Sequence, residues 1–272
     1  MTQALLHTPS GTRQGFLASL RLNLRIIGAL MMREGSTRYG HENLGFFWVM
    51  GEPLVLTSGV MGLWTLTGAT HGHSVGVVPF ALTGYTMLTL WRHQTNKAVH
   101  AIRHNSGLLF HRNVRVLDVM LARGLLEFVG ILAAFFIAWT PLALLGLVDP
   151  MTDPLLALTA YVLHAWFAFS FGCIIAALSE MWAPMEQFIQ PILYLTLPLT
   201  GAFSMAAWLP QRWRELLLYS PIANTQEMFR AGIFPPDTVT YYYPTYVVIC
   251  ALVTTAIAFP LVQYSQRHVS FS

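Results

Sequence analysis

At 272 residues, with 55% hydrophobic and only 10% charged residues and a mean hydropathy of +0.54, the chain falls outside the soluble class, which carries roughly 25% charge. A soluble protein so poor in charge would expose large apolar patches, so the composition indicates an integral membrane protein. The net charge of +3 is no nucleic-acid signal, and the two cysteines, Cys173 and Cys250, give neither a disulfide framework nor a CxxC metal pattern.

In chain order, residues 13–33 mix apolar positions with Arg13, Arg21, Arg25 and Arg33. Arg21 and Arg25 share a helical face, which predicts an amphipathic helix lying along a membrane surface. A cationic segment with Arg38 and Tyr39 then runs into an apolar stretch that opens on Phe46, Phe47 and Trp48 and contains Glu52-Pro53. Aromatics of this kind favour the membrane–water interface. A carboxylate within a membrane-length run must face protein or water, and Arg92 or Arg123 is its expected partner.

A spanning helix needs about 20 residues. Apolar runs predict spans at 44–67, 76–96, 116–147, 155–178, 186–208 and 244–264, with the first turns of the third at the interface around Asp118 and Arg123. Glu52 reads as the only clear mid-span carboxylate. No cleavable signal peptide is expected at the N-terminus. Twelve of the fifteen Lys and Arg residues fall on the side that six spans assign to both termini; the other three are Arg212, Arg214 and Arg230. The bias predicts cytoplasmic termini.

The connection at 97–116 is too polar to span, yet Ile102, Leu108, Leu109 and Phe110 need burial. A docking surface for a cytoplasmic partner would explain both features. Residues 191–243 contain six prolines between short apolar segments, among them Glu215 to Tyr219 and Ile222 to Ile233, the latter with Glu227 and Arg230 on one helical face. Prolines break helices, so this stretch predicts segments that dip into the outer leaflet and return, which requires burial in protein or a wet cavity. Tyr241-Tyr242-Tyr243-Pro244 reads as an interfacial anchor for the last span.

No GxxxxGK[ST] loop is present, and the sole lysine, Lys97, lacks a glycine frame. The chain is therefore expected not to bind ATP. His71 and His73 could suggest a metal site, but no Cys, Asp or Glu lies nearby. A secondary transporter would carry ionisable residues near several span centres and usually inverted repeats, neither of which is evident.

The strings Gly45-Phe-Phe-Trp-Val-Met-Gly-Glu-Pro-Leu54, Arg103 through Asp118, Pro198-Leu-Thr-Gly-Ala-Phe203 and Ser220 through Gly232 resemble the inner-membrane permease of bacterial capsular polysaccharide exporters, within the type-2 ABC exporters. The resemblance runs from about residue 13 to 265. It implies an all-α integral membrane protein with six transmembrane helices, an N-terminal amphipathic interface helix, and re-entrant helices before the last span. The expected organisation is a cytoplasmic N-terminus over 1–43 and a transmembrane domain over 44–264, with a coupling loop at 97–116, a re-entrant region at 198–240 and a tail at 265–272.

The resemblance further implies a non-catalytic homodimeric permease without a cofactor of its own. ATP and Mg would bind two copies of a separate cytoplasmic ATPase. The cargo would be a lipid-linked acidic polysaccharide, handed to a periplasmic adaptor and an outer-membrane exporter; O-antigen or teichoic acid is the alternative. Arg103, His104, Leu108, Leu109, Phe110 and Glu180, the last in the short turn between spans four and five, are candidates for ATPase coupling. Arg33, Arg38 and Tyr39 are candidates for receiving the lipid phosphate. Phe46, Phe47, Trp48, Tyr85, Trp166 and Phe169 are candidate aromatic contacts for sugar rings.

Overall fold

The computed structural model describes residues 16–39, 45–67, 75–103, 115–182 and 184–268. Among them the secondary structure is helical: α1 (Phe16–Tyr39), α2 (Gly45–Thr67), α3 (Val77–Asn96), α4 (Val116–Leu144), α5 (Pro154–Met181), α6 (Met185–Leu195), α7 (Gln211–Leu218), α8 (Pro221–Ile233) and α9 (Pro244–His268), with short 3₁₀ turns at Leu197–Thr200 and Ala206–Trp208. By length and composition, α4, α5 and the Pro244–Gln266 part of α9 are apolar enough to cross a bilayer. The helices α2 and α3 have 23 and 20 residues, enough for roughly 30 Å at 1.5 Å per residue; α2 is close to α4 and α5 in apolar character despite Glu52, whereas Arg92 and His93 dilute the end of α3.

The helix ends follow local chemistry. Asp153 accepts the Leu156 amide at 3.0 Å with Pro154 at the first helical position. Ser220 and Pro221 do the same for α8. Arg115 and Asp118 close the start of α4, the Arg115 amide donating to Asp118 Oδ2 at 2.9 Å.

Two expectations are corrected. Residues 186–208 do not form one helix: α6 has 11 residues, about 16 Å, and the chain then passes through a 3₁₀ turn at Pro198 to Gly201, which has φ +72°. Proline removes a helical donor and glycine accepts the left-handed conformation, so the apolar run continues while the helix stops. At the other end of the chain, α1 runs on as helix through Tyr39, beyond the 13–33 stretch expected to be the amphipathic helix.

Helix α5 is the hub, touching α3, α4, α6, α8 and α9. In lipid, helices associate by close packing of small residues and by polar links rather than by hydrophobic expulsion. Both devices are present. A Cβ at Gly232 of α8 would lie 2.5 Å from Ala157 N of α5, and one at Gly172 of α5 would lie 2.7 Å from Gln94 O of α3. Only glycine permits these approaches. Polar links join α5 to α9 through Thr255, bonded to Trp166 at 3.0 Å and Ser170 at 2.8 Å. Tyr161 of α5 donates to Phe128 O of α4 at 2.8 Å. His164, fully buried, lies 2.7 Å from Thr225 Oγ1 of α8 and 3.0 Å from Met87 O of α3.

A buried ion pair on α8 fastens the irregular segment at 201–206 to that helix. Arg230 and Glu227 are both fully buried, with Nη1 and Oε1 3.6 Å apart. Arg230 donates to the carbonyls of Gly201, Ser204 and Ala202 at 2.8, 3.0 and 3.1 Å, and its guanidinium lies 4.3 Å from the Phe80 ring centroid. Glu227 accepts the amides of Ala206 at 3.1 Å and Tyr241 at 3.4 Å. Replacing one member of a buried pair strands the other charge at a cost of about 3–5 kcal/mol. Arg230→Met should therefore unfold the purified protein at markedly lower temperature than wild type, and Glu227→Gln added to it should recover only the part due to the stranded carboxylate, since three carbonyls still lose their donor. A melting temperature unchanged in Arg230→Met would refute the clamp.

Candidate functional site at the basic end of the bundle

The ends of α3 and α5 and the starts of α4 and α6 meet at one end, which gathers Arg92, Lys97, Arg103, Arg115 and Arg123. The chain leaving α3 turns over Lys97 to Arg103 and buries Ala98, Val99, Ala101 and Ile102 in the core formed with Trp91, Phe167, Ile175 and Ile189. Two carboxylates hold the turn from outside. Arg103 Nη1 lies 2.8 Å from Glu186 Oε1 at the start of α6, and its Nε lies 3.9 Å from Glu180 Oε2 near the end of α5. His100 Nδ1 lies 3.6 Å from the same Glu186 oxygen. Arg103 and Glu180, both singled out as coupling candidates, thus stand together, with Glu186 as the nearer partner. His104, Leu108, Leu109 and Phe110 lie outside the described residues.

Deeper in, four titratable groups from three helices form one cluster. Glu127 of α4, 2% exposed, accepts Lys97 Nζ at 2.8 Å and lies 2.6 Å from His93 Nδ1. The other ring nitrogen of His93 lies 3.4 Å from Glu52 Oε1 of α2. His93 therefore bridges two carboxylates and ties α2, α3 and α4. A neighbouring pair, Arg123 Nε and Glu34 Oε1 at 3.1 Å, ties α1 to α4. Beside it Leu30 packs on Val119 and Ala122.

Three expectations change here. Glu52 meets His93, whereas Arg123 is paired with Glu34. Glu52 is half exposed. It is also not the only carboxylate in a long apolar helix, since Glu127 lies within α4, whose surrounding leucines and phenylalanines hide it in a hydropathy average. A lone carboxylate inside the apolar run of α4, one turn from Arg123, was the signal available for Glu127.

The aromatic candidates separate. Tyr85 joins a ring cluster with Trp64 and Phe203 at centroid distances of 5.8 and 6.1 Å, and Trp64 also stacks on Phe80 at 5.7 Å. Trp166 is engaged by Thr255 between α5 and α9, and Phe169 packs over Gly124 of α4. Both are accounted for by bundle packing. Phe46, Phe47 and Trp48 fall in the first turn of α2, and Arg38 and Tyr39 at the end of α1; their side chains lie outside the described residues, as do His71 and His73 altogether. Arg33 stands on the exposed side of α1.

Charged groups from α1, α2, α3, α4, α5 and α6 thus link the helices pairwise at this end. Residues 25–234 match the ABC-2 type transporter family. The capsule polysaccharide export inner-membrane protein CtrC of Neisseria meningitidis serogroup B is 38% identical over 257 residues, 94% of this chain and 97% of the relative. Its counterpart BexB of Haemophilus influenzae is 35% identical over 259 residues, 95% and 98% of the two chains. The polysialic acid transport protein KpsM of Escherichia coli is 24% identical over 210 residues, 77% of this chain and 81% of its own. The chain belongs to the ABC-2 type transporter family of membrane subunits, in the group of the capsule polysaccharide export inner-membrane proteins.

The Arg103 links are about half exposed, so they hold the turn only modestly, by roughly 0.2–1 kcal/mol. Arg103→Glu should speed amide hydrogen exchange across residues 98–103 by about two- to five-fold. The reciprocal change Glu186→Arg in the same chain should slow it again. Identical exchange in Arg103→Glu and wild type would show that these carboxylates do not fasten the turn.

Proposed function

We propose that the chain is the permease subunit of an ATP-driven exporter that moves lipid-linked capsular polysaccharide across the bacterial inner membrane. The observation that carries this reading is the 38% identity over 94% of the chain to a capsule polysaccharide export inner-membrane protein. In this reading α2, α3, α4, α5, the broken α6 segment and α9 make six crossings, with both termini in the cytoplasm. Helix α1 lies along the cytoplasmic surface, and α7 and α8 form a re-entrant pair. Two features support that topology: the basic residues gather at the end where α3 meets α4, and the buried Arg230 clamp satisfies the irregular backbone at 201–206, as depth in a bilayer requires.

Two copies of the chain would pair with two copies of a cytoplasmic ATPase, which binds ATP and Mg, and would pass the polymer to a periplasmic adaptor and an outer-membrane exporter. The Lys97–Arg103 turn touches α5 and α6 at once through Glu180 and Glu186. A partner seated on the 97–116 connection would therefore move both helices as rigid bodies. Arg33, Arg38 and Tyr39 would meet the lipid phosphate, and Phe46, Phe47, Trp48 and Tyr85 the sugar rings.

Deleting the gene in its own host should abolish surface polysaccharide and leave polymer inside the cell, and normal surface polymer in the deletion strain would overturn the reading. Replacing Leu108, Leu109 and Phe110 together with Ser should leave the protein in the membrane but remove a stoichiometric ATPase from the purified complex. Unchanged co-purification would take the coupling role away from this segment.

A further inference from the structure

Helix α3 carries four threonines, and three behave as buried helical threonines do. Thr83, Thr86 and Thr95 donate to the carbonyls of Pro79, Leu82 and Trp91 one turn back, at 2.8, 2.7 and 2.8 Å. Thr89 does not. Its side chain is 4% exposed and its hydroxyl has no hydrogen-bond partner. Two turns on, the Asn96 side-chain oxygen is buried and unpartnered as well. Buried polar groups are nearly always bonded, and an exception in a native fold calls for an explanation.

Both residues line one cleft of about 180 Å³ between α2 and α3, together with Glu52, Arg92, His93 and Lys97. Thr89, Arg92 and Asn96 follow Tyr85 at spacings of four, seven and eleven, so the four residues occupy one face of α3. The charges around the cleft are unequally matched. Lys97 is bonded to Glu127, and His93 stands between Glu127 and Glu52. Arg92 has no carboxylate within ion-pair distance among the described residues; its guanidinium carbon lies 5.7 Å from the ring centroid of Tyr194 on α6.

The chemistry of the lining selects among ligands. A guanidinium can hold a carboxylate or phosphoryl group through two hydrogen bonds. A half-exposed carboxylate, a hydroxyl and an amide oxygen suit the hydroxyl groups of a sugar. A bare anion would be opposed by Glu52, and a neutral sugar would leave Arg92 unmatched. The volume is below the roughly 300–1,000 Å³ of sites for drug-sized ligands, so it suits a single ring.

We propose that this cleft is a binding subsite for one anionic sugar unit of the transported glycan. Arg92 takes the carboxylate or phosphoryl group and Glu52 bonds a ring hydroxyl; the Thr89 hydroxyl and the Asn96 amide oxygen, both closed to solvent, join once their side chains turn into the cleft. The same face of α3 then leads the chain from this subsite towards Tyr85. The proposal rests on the export reading and names the substrate chemistry recognised at its entrance.

The test places a photo-reactive p-benzoylphenylalanine at Leu56, a 43% exposed residue of the cleft wall, in the full complex within cells making their own polymer. Irradiation should yield an adduct that releases sugars on acid hydrolysis. Arg92→Gln should lower its yield at least tenfold, Arg92→Lys by less, and Thr89→Val several-fold, with membrane levels and ATPase co-purification unchanged. Phosphate labelling separates the two sources of the anion: a labelled adduct assigns it to the phosphoryl group of the lipid linker, an unlabelled one to a sugar carboxylate. An adduct without sugar, or one whose yield is indifferent to Arg92→Gln, overturns the subsite. Those results leave the export reading standing, because that reading fails only if the deletion strain still displays its polymer.

Discussion

The buried Glu227–Arg230 pair is the interaction on which the architecture depends. Without it, the backbone from Gly201 to Ala206 would present carbonyls and an amide to a dry interior, each at a cost of several kcal/mol in hydrocarbon. Arg230 gathers three of those carbonyls and Glu227 takes the Ala206 amide, while its other oxygen receives Tyr241. A single pair of side chains thus substitutes for secondary structure between the two 3₁₀ turns, and it fixes the approach to α9 as well. Methionine or leucine could fill the same volume, but neither could satisfy five backbone groups. Once α8 is held this way, Gly232 can close on Ala157 and Thr225 can reach His164, so the hairpin is seated on α5 by contacts the pair makes possible.

The opposite end is organised by the same kind of chemistry with the charges less deeply sunk. His93 joins Glu52 to Glu127, Lys97 completes the buried carboxylate, and Arg123 draws in Glu34. These links cross between helices, so each one transmits a displacement of α3 to α2 and α4, and of α4 to α1. The contrast in burial matters. The Arg230 cluster is sealed and behaves as a permanent fastening, whereas Glu52 and Arg103 are half exposed, and links of that kind are worth little enough to be exchanged during a conformational cycle.

How much of this could be read beforehand depended on whether the property was local. The limits of α2, α3, α4, α5 and α9 fall within a few residues of the apolar runs, because hydrophobic length is written along the chain. The short helices α7 and α8 were likewise marked by Pro210 and Pro221. The run at 186–208 misled because its composition stays apolar while Pro198 and Gly201 interrupt the backbone. Glu127 and His164 were hidden for a similar reason: one polar residue among twenty apolar ones barely moves an average. Their partners were beyond reach altogether, since whether Glu52 meets Arg92, Arg123 or His93 is decided by the rotation of α2 about its own axis. The proximity of Arg103 to Glu180 was anticipated only as shared membership of one end, and Glu186 was not anticipated.

The distribution of charge along α3 bears on how a polymer could pass without being trapped. A glycan in transit needs contacts strong enough to enter and weak enough to leave at every step, which excludes a deep pocket of unopposed cations. The α3 face avoids that arrangement. Arg92 is its one guanidinium, Glu52 stands across the same cleft, and the neutral Thr89 and Asn96 flank it. An anionic sugar held there gains a bidentate contact to Arg92 and at the same time feels the Glu52 carboxylate, so the next unit of the chain can displace it. One turn beyond Thr89 the face changes from charge to the rings of Tyr85, Trp64 and Phe203, whose flat surfaces would hold sugars without regard to sequence in the proposed path. Recognition by charge at the entrance and by shape further in would let one site check that the cargo is anionic while leaving the length and the repeat of the polymer unread.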